Sequence, residues 1–427
     1  MTSNLPGGDH CEVGTNLQQT TVIADYTPHD PIQINSDDDF VTLGFPGSGT
    51  IEDPYIIRDL EIYTSVQYEH SISIAGIDSF FEISNCNISA DFGIWIENSR
   101  NFVIANNEIR QMYYFGQYYG GLRGISIEMS SGFTVLYNTV GYVTEYESFN
   151  MGILISDSSN GTIESNTVSG AYMGIEVGGT DMTITDNIVR GKGEDEAGIL
   201  SHASYSRVIG NNCTEYINGI ALWGGTGNQV TNNYCYGNSI GIDVSGSHQN
   251  VISNNSCYEN AHWAGGVTAR ISVGIKVESD SSYNIISMNK IEHNLGYGVS
   301  FIGIGLPVRK FPEYNQVFLN IFDDNNVGSG RQAYDEGGGN GFGYNYWSDW
   351  VDHPDNNEDG IIDSPYPIEG GFLVDPYPLA NSSLAYSLDI NSVPTPHPII
   401  RFVQGNVLLI SLGIIVIVVL IVIRRRK

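Results

Sequence analysis

Glu97 and Glu128 are the two carboxylates whose placement most suggests chemistry. Each lies four residues after a glycine that opens an apolar stretch, Gly93-Ile-Trp-Ile-Glu and Gly124-Ile-Ser-Ile-Glu. Carboxyl groups at one position of neighbouring repeats could work as acid and base on either side of a glycosidic bond. Equivalent positions, two or four residues after such a glycine, hold Trp95, Glu176, His202, Trp223 and Asp243. Aromatic rings among polar groups offer flat apolar faces with polar edges, as sugar rings require. The segments before the glycines add Tyr113, Tyr114, Phe115, Tyr118 and Tyr119, then Tyr142, Tyr146 and Phe149, then Tyr258, His262 and Trp263. Tyrosine-rich loops also pack as caps, and outward carboxylates are often only solvated. Glycan binding, catalysis by a lyase or hydrolase, and a structural role therefore all stay open.

A second constellation lies nearer the C-terminal end. Asp355, Asn357, Asp359, Ile361 and Asp363, with Gly360 at the sharp turn, are spaced as oxygen donors of a calcium loop. The place of the bidentate Glu is taken by Tyr366, so Asp349 or Asp352 would have to complete the shell. The competing reading is an acidic turn without metal.

The elements that must carry these residues are short and repeated. A glycine followed by alternating apolar residues recurs at Gly93, Gly124, Gly152, Gly174, Gly198, Gly219, Gly241, Gly274 and Gly298, with a base period of 21 to 24 residues and insertions in some turns. That period marks a solenoid, and the two-residue alternation marks strands. An asparagine recurs in the second half of each repeat: Asn107, Asn138, Asn166, Asn187, Asn212, Asn233, Asn255, Asn289 and Asn320, with Cys86 in its place in an early coil. Stacked amides satisfy one another only if every coil supplies one. This register buries Asn212, so the sequon there is expected to stay unmodified, whereas Asn160 and Asn381 are expected to be exposed. Cys235 and Cys257 fall two residues after the ladder and point inward; Cys213, one residue after, should point differently.

The formal charge is −30, with 18 basic and 48 acidic residues. Such a surface repels phosphate backbones, which argues against nucleic acid as a partner. Five cysteines without paired short spacing argue against a zinc site or a disulfide framework. Val407–Ile423 is an uncharged, mostly apolar run followed by Arg424, Arg425, Arg426 and Lys427, which reads as one membrane helix with a cytoplasmic basic tail. The body would then be extracellular. Met1–Thr20 has no apolar core of an export signal, so that reading expects a signal outside this sequence.

These repeats resemble the right-handed parallel β-helix repeat proteins, the NosD-like and CASH-type domains of carbohydrate-binding proteins and sugar hydrolases. Gly44-Phe-Pro-Gly-Ser-Gly-Thr-Ile-Glu-Asp-Pro-Tyr-Ile-Ile looks like the opening segment of archaeal cell-surface members. Asn345-Tyr-Trp-Ser-Asp, Asp359-Gly-Ile-Ile-Asp-Ser-Pro-Tyr-Pro-Ile and Asp375-Pro-Tyr-Pro-Leu look like their closing segment. The resemblance covers about residues 39–379 and implies an all-β solenoid of about ten coils. It says little about function, because the fold hosts many. Neither the Asp-Pro-His signature of uronate epimerases nor a Met/His/Cys cluster of the copper-site type is found. The expected organisation is a leader and cap over residues 1–50, coils over 51–325, a Gly/Trp/Asp-rich cap over 326–380, a stalk over 381–404, a transmembrane helix over 405–423 and a tail over 424–427. The expected function is a membrane-anchored surface protein that binds glycans or neighbouring surface proteins.

Overall fold

The computed structural model describes residues 26–64, 69–111, 123–142, 150–193, 195–261, 272–305, 308–326 and 330–388. One coil consists of three strands, for example Asn218–Trp223, Gln229–Thr231 and Tyr234–Tyr236. Each pairs in parallel with its counterpart in the next coil, at registers Ile220↔Ile242, Val230↔Ile252 and Cys235↔Cys257. The strands thus form three faces of a parallel β-helix. The third face is a 13-stranded sheet from Thr27–His29 to Tyr346–Trp347, about 58 Å of stacked strand at roughly 4.8 Å per step. The stack therefore overruns the expected 51–325 at both ends. Thr27–His29 pairs with Leu60–Tyr63 at the start, and Gly341–Gly343 and Tyr346–Trp347 pair onto the coil below at the finish.

Alternation explains the core. Residues one and three after each repeat glycine face inward, and Ile94, Ile96, Ile125, Ile127, Ile153 and Ile155 are at most 1% exposed. Each such burial stabilises the fold by about 1.5–3 kcal/mol. The repeat glycines answer to close approach. A Cβ on Gly174 would lie 2.5 Å from the carbonyl oxygen of Gly198 and 2.2 Å from Val189 Cγ1. Aromatic rings close both ends of the core, which a solenoid would otherwise expose. Phe40, on the helix Asp37–Thr42, stacks on Tyr55 at 4.5 Å. Trp347 lies between Phe322 at 4.3 Å and Tyr366 at 4.0 Å.

The corners hold amide ladders. Asn107 donates from its backbone N and Nδ2 to Asn138 Oδ1, and the pattern repeats through Asn166, Asn187, Asn211, Asn233, Asn255, Asn289, Asn320 and Asn345. A second ladder runs Asn238, Asn260, Asn294, Asn325, Gln332. A third runs Asn228, Asn250, Asn284, Asn315, Asn340. All three donate toward the C-terminal end, where carboxylates accept the last donors: Asp375 from Asn345, Asp349 from Gln332 and Asp335 from Asn340.

At the fifth asparagine of the ladder the structure corrects the sequence register by one residue. Asn211 is the buried ladder member, and Asn212 is exposed between Ile188 and Tyr234 on the third face. Gly210 at φ +67° makes the left-handed turn that precedes ladder residues elsewhere, as Asn232 (φ 58°) and Asn254 (φ 56°) do. The Asn212 sequon is thus accessible, contrary to expectation, along with those at Asn160, Asn254 and Asn381. Cys213 likewise points inward, stacked under Cys235 and Cys257, and all three thiols are free and fully buried. Among the described residues no helix is long and apolar enough to cross a membrane. The run at 407–423 lies outside them.

Candidate functional site

The first face carries the candidate residues on two adjacent outward rows. Residues two after the glycines stack as Trp95, Ser126, Leu154, Glu176, Leu200, Ala221, Asp243, Lys276 and Ser300. Residues four after place Glu97 beside Glu128 at one level, and Trp223, Ser245 and Glu278 in sequence higher up. Trp95 and Trp223 are five strands apart along the stack, about 24 Å.

The lower part is aromatic and charged. His70 stacks on Trp95 at 5.3 Å and meets Phe92 edge-on at 5.3 Å. Burial pulls the His70 imidazole below its usual range, and the nearby Arg123 guanidinium adds to this. Glu97 and Glu128 are register partners, as the spacing implies. Glu128, however, is engaged: Arg123 Nη1 donates to it at 2.8 Å and Ser126 Oγ at 3.3 Å. A carboxylate held in an ion pair is poorly placed to give up or take a proton as half of a catalytic pair.

The upper part is a buried charge cluster. Lys276 Nζ lies 3.3 Å from Asp243 Oδ1 and 2.8 Å from Glu278 Oε2. Trp223 Nε1 donates to Asp243 Oδ2 at 3.3 Å. Asp243 holds an outward position yet is 2% exposed, so it is not the solvated groove carboxylate that alternation alone implies. Burial pushes its carboxyl up to about 6, against the opposing pull of Lys276. Burial also disfavours the Lys276 ammonium, but Asp243 and Glu278 outweigh it and hold it above its usual range. Between the two parts, His202 Nε2 is 3.7 Å from Glu176, and its Nδ1–H donates to the Trp223 carbonyl at 2.9 Å. Ala197, Leu200 and Ala221 form a small buried apolar patch against Met173 and Trp223.

Several buried polar atoms on this face lack a hydrogen-bond partner: Arg123 Nε, Glu176 Oε2, Asn218 Oδ1 and Ser300 Oγ. Asp243 Oδ1 meets only Lys276, outside good hydrogen-bond geometry. An unmade buried bond costs about 1–3 kcal/mol. Lys276, Glu278 and Arg123 were missed as site residues, although Lys276 and Glu278 sit at the outward positions after Gly274. Tyr113, Tyr114, Tyr118, Tyr119, Tyr146, Phe149, His262 and Trp263 lie outside the described residues. Tyr258 stands on the third face, stacked on Tyr236 at 5.6 Å, away from the tryptophans.

The 355–363 loop folds around its own carboxylates. Asp355 accepts from the backbone N–H groups of Asp359 at 3.2 Å and Gly360 at 2.9 Å; Asp359 Oδ1 accepts from Ile361 N at 2.9 Å. Asp363 Oδ2 binds Asn356, and Asn357 Nδ2 donates to Asp359. Tyr366 is buried against Trp347 and donates to Asp349, so both serve the cap. Among the described residues no three His, Cys, Asp or Glu side chains are grouped to hold a metal ion.

The sequence matches none of the curated proteins. The family model described as periplasmic copper-binding protein (NosD) matches residues 117–272. The fold is similar to that of the A-module of mannuronan C-5 epimerase AlgE4 from Azotobacter vinelandii, with TM-score 0.50 and 15% identity, covering 74% of this chain and 91% of that one. It is also similar to the periplasmic alginate epimerase AlgG, with TM-score 0.44, 14% identity and coverage of 74% and 85%. For the Dettilon tailspike protein the values are 0.40, 17%, 62% and 60%, so the chain spans less than two thirds of that protein's length. With its stacked parallel coils the chain is a parallel β-helix repeat protein, and its central repeats are similar to the NosD family.

Proposed function

We propose that the first face binds a polysaccharide lengthwise between Trp95 and Trp223, in an extracytoplasmic protein held to the membrane by residues 405–423. The observation that carries this reading is the coincidence on one face of two partly exposed tryptophans with the accessible polar groups of Glu97 and His202. Indole faces pack on sugar rings, and sugar hydroxyls both donate and accept. A mannuronan C-5 epimerase, by its printed name, shares the fold. The acidity of the chain favours a neutral polymer over a polyanion. A second reading, a polysaccharide lyase or hydrolase, draws on Asp243, whose carboxyl burial pushes up to about 6 against the pull of Lys276, toward the range a general base uses.

The test measures retention and release of new chain ends together, on a panel of neutral and uronic polysaccharides. Trp95→Ala with Trp223→Ala should weaken retention tenfold or more, since each buried aromatic face contributes about 1.5–3 kcal/mol. Unchanged retention with the fold intact would sink the binding reading. New chain ends that disappear in Asp243→Asn, with Glu97→Gln and Glu128→Gln alongside, would make the protein an enzyme.

We also propose calcium at the 355–363 loop, with Asp355, Asn357, Asp359, Asp363 and the Ile361 carbonyl as donors. Millimolar calcium should then raise the melting temperature over that in chelator, and Asp355→Ala should abolish the difference; equal melting in both would remove the metal.

A further inference from the structure

The second face ends in an apolar hollow of about 330 Å³ lined by Phe342, Tyr344, Phe372 and Tyr377 among others. Its origin is in two glycines. Gly341 and Gly343 take the outward positions that Gln316 and Phe318 fill one coil below. A Cβ on Gly343 would touch nothing within 4 Å, so the floor is open. Tyr344 and Tyr377, stacked at 4.9 Å, make one wall. The hairpin of Tyr366–Pro367 and Val374–Asp375 lifts Phe372 at the rim. Phe372 is fully exposed, at 106%, and Val374 is 40% exposed. A phenyl ring left in water forgoes about 1.5–3 kcal/mol, which an apolar occupant of the hollow would recover.

The described chain ends on a hydrophobic cluster that borders the hollow. After the short helix Leu384–Ser387, Leu388 packs against the cluster that contains Phe318 and Tyr344, and both of those residues also line the hollow. The next residues, 389–400, read Asp-Ile-Asn-Ser-Val-Pro-Thr-Pro-His-Pro-Ile-Ile, with Pro394, Pro396 and Pro398. A segment with alternate prolines is preset toward the polyproline II helix, and aromatic-lined apolar grooves are what such helices dock into, at little entropic cost. Six residues from Leu388 to Pro394 reach about 19 Å at roughly 3.1 Å each. We propose that the chain's own segment 393–398 occupies this hollow and folds the stalk back against the last coil. That would fix the angle at which the β-helix leaves its C-terminal segment.

Cysteine cross-linking of the full chain tests this, in a Cys11→Ser background. Phe372→Cys is paired in turn with Pro394→Cys, Pro396→Cys and Pro398→Cys, and oxidised products are read by intact mass and non-reducing electrophoresis. At least one pair should close within the monomer. Its rate should exceed fivefold that of the same stalk cysteine paired with Asp352→Cys on the exposed cap. Filling the hollow with Gly343→Leu should lower the yield at least fivefold. Disulfide-linked dimers in place of closed monomers would assign the hollow to a second copy and overturn the proposal. Closure no faster than the Asp352→Cys control, or unaffected by Gly343→Leu, would also overturn it. Retained far-UV circular dichroism confirms that each variant is folded.

Discussion

Asn255→Asp should cost about 4–6 kcal/mol at neutral pH, while Asn254→Asp next to it should change stability by less than about 0.5 kcal/mol. Asn255 Nδ2 donates to the Val230 carbonyl at 2.8 Å and to Asn289 Oδ1 at 3.0 Å, while its Oδ1 accepts from Asn233. A carboxylate keeps the acceptor and replaces the donor with an oxygen facing two others. Two hydrogen bonds worth about 1 kcal/mol each are lost, and a buried charge without a partner is created. Asn254 is exposed at φ 56°, a conformation Asp also tolerates. Chemical denaturation of the two variants checks the difference. Lowering the pH should restore much of the Asn255→Asp loss, because a protonated carboxyl can donate again. A loss under about 1 kcal/mol would mean the ladders contribute little beyond packing.

The protein should gain about 2–3 kcal/mol of stability between pH 7 and pH 5 from two carboxyl groups alone. Asp243 and Asp335 are each pushed up to about 6, in both cases chiefly by burial. An acid whose folded pKa is raised keeps its proton where the unfolded chain has already lost it. Its stabilising effect is complete below the unfolded value near 4 and is lost as pH rises through 6. Each contributes on the order of 1 kcal/mol over that interval. Groups shifted the other way, such as Asp280, paired with Lys310, and Asp39, bonded to backbone N–H groups, lose their contribution only below about 4. The carboxyl contribution should therefore peak near pH 4.5–5, opposed in part by His70, whose lowered imidazole costs stability as pH falls through its usual range. Asp335→Asn should remove about half the gain, because Gly337 N and Asn340 Nδ2 donate to Asp335 and an amide oxygen can still accept them. A flat stability profile from pH 5 to pH 7 in the parent protein would refute this account.

The fold was legible because its causes are local and repeated. A glycine is needed wherever coils approach to within a Cβ radius, isoleucine or valine wherever a strand turns inward, and asparagine wherever a corner must pass hydrogen bonds upward. Each of these rules acts within one repeat and recurs at the next. The asparagine pair 211–212 shows where local reasoning stops. Either residue could serve the ladder, and a one-residue slip exchanges inside for outside. The choice of Asn211 follows from the turn at Gly210 and from Cys213 stacking on Cys235.

The candidate site was legible only in outline. Alternation placed Trp95, Glu97, Glu128, Trp223 and Asp243 on one face, and the structure agrees. That Glu128 is tied to Arg123 at the start of its own strand, and that Asp243 is enclosed with Lys276 and Glu278 of the next coil, depends on which outward side chains turn toward one another. The same holds for the three carboxylates that end the ladders. Asp375 lies 30 residues from the Asn345 it serves, across the cap hairpin. The sequence by itself determined the repeat, the inward column and the outward rows, because these follow from strand geometry. Only the tertiary structure decided which polar groups meet, because coil insertions of unequal length set the partners and burial sets their charge.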